Sequence, residues 1–454
     1  MDAGILIGLL RALARMRAAE RASRADLDAA QTARLERLRV FACKRSPFYA
    51  RIHAGLADEP LSALPVLTKR ALIEHFDDVV TDRRIRLSDV RAHMSGDRAQ
   101  TRYLDRYWVN ATSGSSGAPT ICPFDQGEWI SILASFARGR EWAVGPIDLT
   151  RRMRMASVAS ATPWHMSAQA GATLNSFWTP ALRLAASEPL DDVVGRLNAW
   201  QPAMLIAYAS MARVLADEQI ARRLRISPEV VFTSSEVLTD EMRHRVSRAW
   251  GREPFSQYAA TETGGIAAER MAHDGLSIFE DQLIIENVDG DDRPVPAGDF
   301  GDKVLVTTLF SRTMPLIRFE LNDRIRISPE PSQDGHPFAR IDAIEGRTED
   351  ALYLPGIRGG YVMIQPLVFH RVLDARPAQG WQVRQTSTGI DLLLAGPPDG
   401  DLPQRVQQDV SGALRASGAI CEIRVVAVPS IPKEISGKTP LIKALARPSV
   451  SAEP

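Results

Sequence analysis

The sequence predicts an α/β protein: a large, multi-layered N-terminal domain with doubly wound sheets, then a small α+β domain. Three observations carry that prediction. Short apolar strand-like runs alternate with amphipathic helical runs from about 100 to 345, the pattern of a parallel sheet wrapped by helices. After Tyr258 the alternation gives way to runs joined by Gly/Asp turns, which reads as antiparallel pairing. From Glu349 a hairpin, a helix and a further strand follow within roughly one hundred residues, an ordinary domain size. At 454 residues the chain exceeds one ordinary core. The expected domains are 1–348, with a helical part over 1–100, and 349–454.

Each element follows from local pattern. Ile5, Leu6, Leu9, Leu10, Leu13 and Met16 lie on one face of a helix interrupted by Arg11 and Arg15. That run is too short and too charged to span a membrane. It is expected to pack on the protein's own body, with a loose membrane or partner contact as the alternative. Leu35, Leu38 and Phe41 continue a helical face until SPFY (Ser46 to Tyr49), and Thr68 is placed to cap the helix that follows LPVL. MRMASVA, AMLIAY (Ala203 to Tyr208) and VVFTS (Val230 to Ser234) read as buried strands. DDVVGRLNAW and TDEMRHRVSRAW read as the helices between them. LSIFEDQLIIENVDGDDRPV and DKVLVTTLF read as antiparallel strands. In the small domain WQVRQTSTGIDLLLAG is a hairpin, PQRVQQDVSGALRA a helix and AICEIRVVAV a strand.

Composition narrows the function. Lys plus Arg equals Asp plus Glu at 55 each, so no global charge favours nucleic acid or an anionic membrane. Cys43, Cys122 and Cys421 form no CxxC pair, so neither a zinc site nor a disulfide framework is expected, and a reducing cytoplasm is the simplest setting.

The chemistry is expected around TSGSSGAPT, Thr112 to Thr120. Hydroxyls and glycines in such a loop can turn several donors toward one anion. The reading is a loop for the phosphates of ATP; a Ser/Gly run is also what a flexible linker looks like. It is not a Walker A loop, because no Gly-Lys-Ser/Thr follows. Glu236 closes a predicted strand, where open α/β sheets bind ligands. YAATETGG (Tyr258 to Gly265) places Thr261 beside Glu262, a hydroxyl and a carboxylate suited to a phosphate oxygen and its Mg²⁺. Glu262 capping a turn or pairing with an arginine is the plainer alternative. PLIRFELNDR carries Arg318 and Asp323 on either side of a short strand, and a carboxylate there can accept both hydroxyls of a ribose. EGRTED holds Arg347 at the domain boundary, and IPKEISGKTPLIK holds Lys438 after Ser436–Gly437.

In that order, these segments resemble the adenylate-forming superfamily of acyl-CoA synthetases, adenylation domains and luciferases. The likeness is nearest to its phenylacetate–CoA ligase branch, with coenzyme F390 synthetase-like and CapK-like proteins. It covers nearly the whole chain, SPFY…LPVLTK included. The resemblance implies that Thr112, Ser113, Gly114, Ser115, Ser116 and Gly117 cradle the ATP phosphates. Glu236 would flank adenine, Tyr258 and Thr261 belong to the motif around Mg²⁺-binding Glu262, Asp323 would bind ribose, and Arg347 would contact the nucleotide. Lys438 becomes the mobile catalytic lysine, and Glu349 or Asp350 the pivot that makes the small domain mobile. YLPGIRGG (Tyr353 to Gly360) would then reach the site, Gly356 and Gly359 letting a pantetheine chain pass.

The resemblance implies activation of a carboxylic acid, of aromatic kind, to an acyl-adenylate with release of pyrophosphate, then transfer to CoA. An amine or carrier-protein thiol as acceptor is the second reading, and an inactive nucleotide-binding relative the third; intact Glu262, Asp323, Arg347 and Lys438 count against the last. Oligomeric state is open, a homodimer included. Three departures stand out. Ala259 replaces the motif glycine, AERMAHDG lacks the cysteines that bind zinc in some relatives, so no zinc is expected, and VASATPWHMSAQAG is poor in glycine. Trp164 and His165 are candidates for the acid's surroundings, with Tyr208, Ala259 and Ala260; a buried structural tryptophan with a partly exposed histidine is the favoured reading of that pair. Phe177 and Ala209 complete the expected surroundings.

Overall fold

The computed structural model describes residues 2–96, 101–112, 118–148, 150–160, 162–347, 350–374, 380–396, 400–432 and 441–445. The N-terminal hundred residues are helical as expected: α1 (Ala3–Ala19), α2 (Arg24–Arg45), α3 (Pro47–Ile52), α4 (Lys69–Glu74), α5 (Phe76–Val79) and α6 (Leu87–Ser95). Helix α1 buries Ile5, Leu9, Ala12, Leu13 and Met16 against the body of the protein. Among the described residues no helix is long and apolar enough to cross a membrane. Thr68 caps α4 by accepting from the Ala71 amide at 3.1 Å.

The hairpin β1 (Trp108–Ala111) and β2 (Ile121–Phe124) leads into α7 (Gln126–Val144). A capping box starts α7: Asp125 accepts from Glu128 N, and Glu128 accepts from Asp125 N. The buried Glu128 carboxylate also takes the Thr313 amide and hydroxyl, at 2.7 and 2.6 Å. Arg138 of α7 makes a buried, two-pronged ion pair with Asp281, 2.7 Å at both contacts.

Strand–helix alternation then runs as expected: β3 (Met155–Ala159), α8 (Met166–Leu174), β4 (Ala181–Ala185), α9 (Leu190–Trp200), β5 (Met204–Tyr208), α10 (Ala209–Ile220), β6 (Val230–Ser234), α11 (Asp240–Trp250), β7 (Phe255–Ala260). Antiparallel strands follow: β8 (Gly264–Glu269), β9 (Leu276–Ile278), β10 (Leu283–Val288), β11 (Lys303–Thr308), β12 (Phe319–Leu321), β13 (Asp323–Ile327) and β14 (Arg340–Arg347). One nine-stranded sheet has the order β13-β14-β9-β8-β7-β6-β5-β3-β4, parallel from β7 to β4; β10-β11-β12 form a second sheet. The short strand expected between Arg318 and Asp323 forms, and the chain changes sheet just after it, at Asn322. Strand β12 ends at Leu321 in the smaller sheet and β13 opens at Asp323 in the larger.

The last part holds β15 (Leu352–Pro355), β16 (Tyr361–Ile364), α12 (Pro366–Leu373), β17 (Gly380–Gln385), β18 (Gly389–Ala395), α13 (Leu402–Ala416), β19 (Glu422–Val428) and β20 (Ile442–Lys443). Its sheet runs β19-β18-β17-β20, and among the described residues the buried members of its apolar cluster fall between Leu352 and Ile442. The expected fold class, a large multi-sheet α/β body with a smaller α+β C-terminal region, is what the chain adopts.

Candidate active site

Strands β3, β5, β6 and β7 end together, and their carboxyl ends open into a cavity of about 2080 Å³. Parallel sheets present their loops and backbone amides there. Glu236, just past β6, accepts the Ser210 amide at 2.8 Å, a carboxylate set at the start of α10 where the helix dipole favours it. Beside it, burial pushes the Tyr208 hydroxyl up to about 12, opposed by the Ser160 amide it accepts and helped by the Glu236 charge.

The end of β7 carries the next group. Tyr258 donates to Asp323 Oδ2 at 2.7 Å. Asp323 sits opposite Arg347 in the β13–β14 register, with Arg347 Nε 3.5 Å from its Oδ1. Burial drives the Tyr258 hydroxyl far above its usual range, and the Asp323 charge adds to that. Glu262 is buried in the turn after β7. Burial raises its carboxyl, while its own amide, the Arg347 and Lys69 charges and the Thr120 hydroxyl oppose the rise. The turn exists because Gly264 and Gly265 let α7 lie on it. A Cβ at Gly264, whose φ is +71°, would meet Ile132 at 2.9 Å, and one at Gly265 would meet Ser135 Oγ at 2.7 Å.

The base of TSGSSGAPT is closed by two hydrogen bonds: Thr112 N to Thr120 O, and Thr120 N to Thr112 Oγ1, both 3.0 Å. Thr112 lines the cavity. Ser113, Gly114, Ser115, Ser116 and Gly117 lie outside the described residues, as do Glu349 and Lys438. Of the remaining expected residues, His165, Ala259, Ala260, Thr261 and Asp350 line the same cavity. Trp164 is not among its lining residues: it packs on the main apolar core, and its carbonyl accepts the Ala111 amide at 2.9 Å. Phe177 is exposed under Arg152, and its neighbour Trp178 lines the cavity instead. Arg318 is a buried structural residue, paired with Glu286 at 3.2 Å and donating to the Leu64 carbonyl at 2.5 Å.

Sequence reasoning passed over Lys69. Leu67 bridges to Phe319, giving and taking 3.0 Å backbone bonds with Arg318 and Glu320, and this carries Lys69 to the cavity wall near Glu262. One signal was available: a lysine in the first turn of a helix opposes the helix dipole, so it needs a reason from elsewhere in the fold. A carboxylate, a tyrosine–aspartate–arginine chain and a nearby lysine on one wall can hold an anion with a hydroxylated ring attached. Among the described residues no three metal-ligating side chains cluster. Mg²⁺ needs only one or two protein carboxylates beside substrate oxygens, so Glu262 fits it.

The fold is similar to that of solved acyl-CoA ligases. A crystal structure of 2-hydroxyisobutyryl-CoA ligase in the post-adenylation state, in complex with R3-HIB-AMP, superposes with a TM-score of 0.74 at 20% identity, over 94% of this chain and 91% of that one. Among curated proteins, the phenylacetate–coenzyme A ligase of Thermus thermophilus is 26% identical over 368 residues, 78% of this chain and 76% of its own length. The CapK protein of Staphylococcus aureus is 23% identical over 346 residues, 72% of this chain and 69% of its own. The chain matches no protein-family model. The resemblance to the adenylate-forming superfamily, on the phenylacetate–CoA ligase and CapK side of it, is therefore borne out.

Proposed function

We propose that the protein is an AMP-forming acid–thiol ligase: it activates a carboxylic acid with ATP, releases pyrophosphate and passes the acyl group to CoA. The observation that carries this reading is the convergence of Glu262, Tyr258, Asp323 and Arg347 on one cavity at the carboxyl ends of parallel strands. The curated relatives named as CoA ligases support CoA over an amine or a carrier-protein thiol.

The chain's own residues align and neutralise rather than form covalent bonds. Asp323, held by Tyr258 and Arg347, accepts the ribose hydroxyls. Glu236 flanks the base. Thr112 and the loop after it hold the phosphates, and Glu262 would hold Mg²⁺, which would supply positive charge to the phosphate oxygens. Lys69 adds a positive charge on that wall. The acid's carboxylate attacks the α-phosphorus and pyrophosphate leaves; the CoA thiol then attacks the acyl carbon and AMP leaves.

The domain boundary at 348/349, the pivot at Glu349 or Asp350 and the mobile Lys438 belong to the same proposal. Supporting the boundary is the separate apolar core after Leu352. Across the lobes Thr239 donates to the buried Asp374 at 2.9 Å. A cytoplasmic setting is supported by the free thiols of Cys43, Cys122 and Cys421. The test separates the half-reactions. Lys438→Ala is expected to slow acyl-adenylate formation by on the order of 10²–10³ and to leave thioester formation from supplied acyl-adenylate largely intact. Equal loss in both halves would remove Lys438 from its role.

A further inference from the structure

The cavity does not stop at the nucleotide wall. It continues down a gap between α7 and one face of the parallel sheet. Residues of one strand face alternate, so the gap is built in levels. Ala159 and Ser234 stand at the mouth, Ser157, Ile206 and Phe232 below them, and Met155 and Met204 at the bottom, as the strand register requires. From Ala159 to Met155 the drop is four residues, about 13 Å at the rise of a strand. Helix α7 runs down the same gap. Ile132 covers Gly264 at the top, Gly139 covers Gln257, and Ala143 packs with Met155 and Met204 at the bottom. Phe136, Arg140 and Val144 line the gap from one helix face.

Arg140 is the anomaly. Its guanidinium reaches the lower end, donating to the Gly145 carbonyl at 2.7 Å, with Met153 Sδ at 3.9 Å. Among the described residues no carboxylate lies within ion-pair distance of it. The nearby acids are engaged elsewhere: Glu229 with Arg151, Asp148 with Thr150, and Glu141 with Arg17. Burial lowers the Arg140 pKa, with the charges of Glu141, Asp148 and Glu229 opposing; a guanidinium is not deprotonated in proteins, so it is a cation with no close counter-ion among the described residues. A half-buried cation is costly unless paired, and a guanidinium fork matches a carboxylate two-pronged.

We propose that this gap is the acyl subsite and that it takes an elongated acid with a second, distal carboxylate, read by Arg140. The inference rests on the cleft being an acid-activating site. Apolar walls at Ile206, Phe232 and the two methionines accept the methylenes, and Arg140 closes the end. An acid with a bare methyl terminus leaves that cation unanswered.

Suberate and octanoate test this, being acids of equal length that differ only at the distal end. Calorimetric binding and acid-dependent ATP–pyrophosphate exchange are measured for wild type, Arg140→Lys and Arg140→Met, with melting curves to confirm folding. The wild type is expected to prefer suberate at least tenfold in Kd and in kcat/KM. The preference should shrink in Arg140→Lys and fall toward unity in Arg140→Met. Equal binding of the two acids by the wild type, or an unchanged ratio in Arg140→Met, overturns the assignment. Exchange that is robust with octanoate and no better with suberate leaves the ligase standing and removes the subsite. A binding preference for suberate without exchange by any acid keeps the subsite and removes the ligase.

Discussion

The Tyr258 hydroxyl donates a 2.7 Å hydrogen bond to Asp323 Oδ2 across 65 residues of sequence. It joins the end of the parallel part of the sheet to the first residue of β13, and Arg347 approaches the other carboxylate oxygen from the paired strand. The three side chains fix each other's positions before any ligand arrives, which is how a binding group avoids ordering costs on association.

That bond has a kinetic consequence. A hydrogen bond to a charged group contributes about 1.5–3 kcal/mol, so Tyr258→Phe should raise the KM for ATP by roughly tenfold to a hundredfold with a smaller change in kcat. Asp323→Asn should act in the same direction. Steady-state kinetics with ATP varied checks it; an unchanged KM with a reduced kcat would place the pair outside nucleotide binding.

The scaffold under the site depends on Arg138 and Asp281, a buried pair that fixes α7 to the turn before β10. Asp281→Ala leaves the buried guanidinium with Glu20 alone, 3.3 Å from its Nε, and the loss of its two-pronged partner should cost about 3 kcal/mol, read as a fall in the urea midpoint. Arg405→Ala, which breaks an exposed pair with Asp401 at 3.3 Å, should leave the midpoint where it was.

Acid should destabilise the protein through His53. Burial, with the Arg39 charge, lowers its pKa from 6.5 to about 4, and neither ring nitrogen has a hydrogen-bond partner. The unfolded chain therefore binds a proton between pH 6.5 and 4 that the folded chain refuses, and stability rises with pH through that window. Between pH 7 and pH 5 the loss from this residue should be about 2 kcal/mol. His53→Leu should reduce the pH-dependent loss by that amount in denaturant unfolding at the two pH values; an identical loss in both proteins would contradict it.

Much of this was legible in the chain. VVFTS became β6 residue for residue, because an unbroken β-branched and aromatic run between polar stretches has few other uses. Thr68 capped its helix because the hydroxyl's bond to Ala71 N is local. Long-range placement was not legible. Lys69 reaches the site through the bridge between Leu67 and Phe319; its place in the first turn of a helix signals that a reason lies elsewhere, but not in which of the distant segments. The sheet change at Asn322 was hidden for the same reason: alternation marks the short strand between Arg318 and Asp323 but not its partners, which are chosen by packing elsewhere. Arg140 sits in a helix whose apolar and polar residues look unremarkable until α7 is laid along the gap.

The most direct test is ATP–pyrophosphate exchange, measured with and without carboxylic acids, for wild type and Glu262→Gln. Exchange should require an acid and should fall by at least on the order of a hundredfold in Glu262→Gln, the usual scale for losing a group that meets transition-state charge. Exchange that ignores the acid, or that survives Glu262→Gln undiminished, would contradict a single acid-activating nucleotide site.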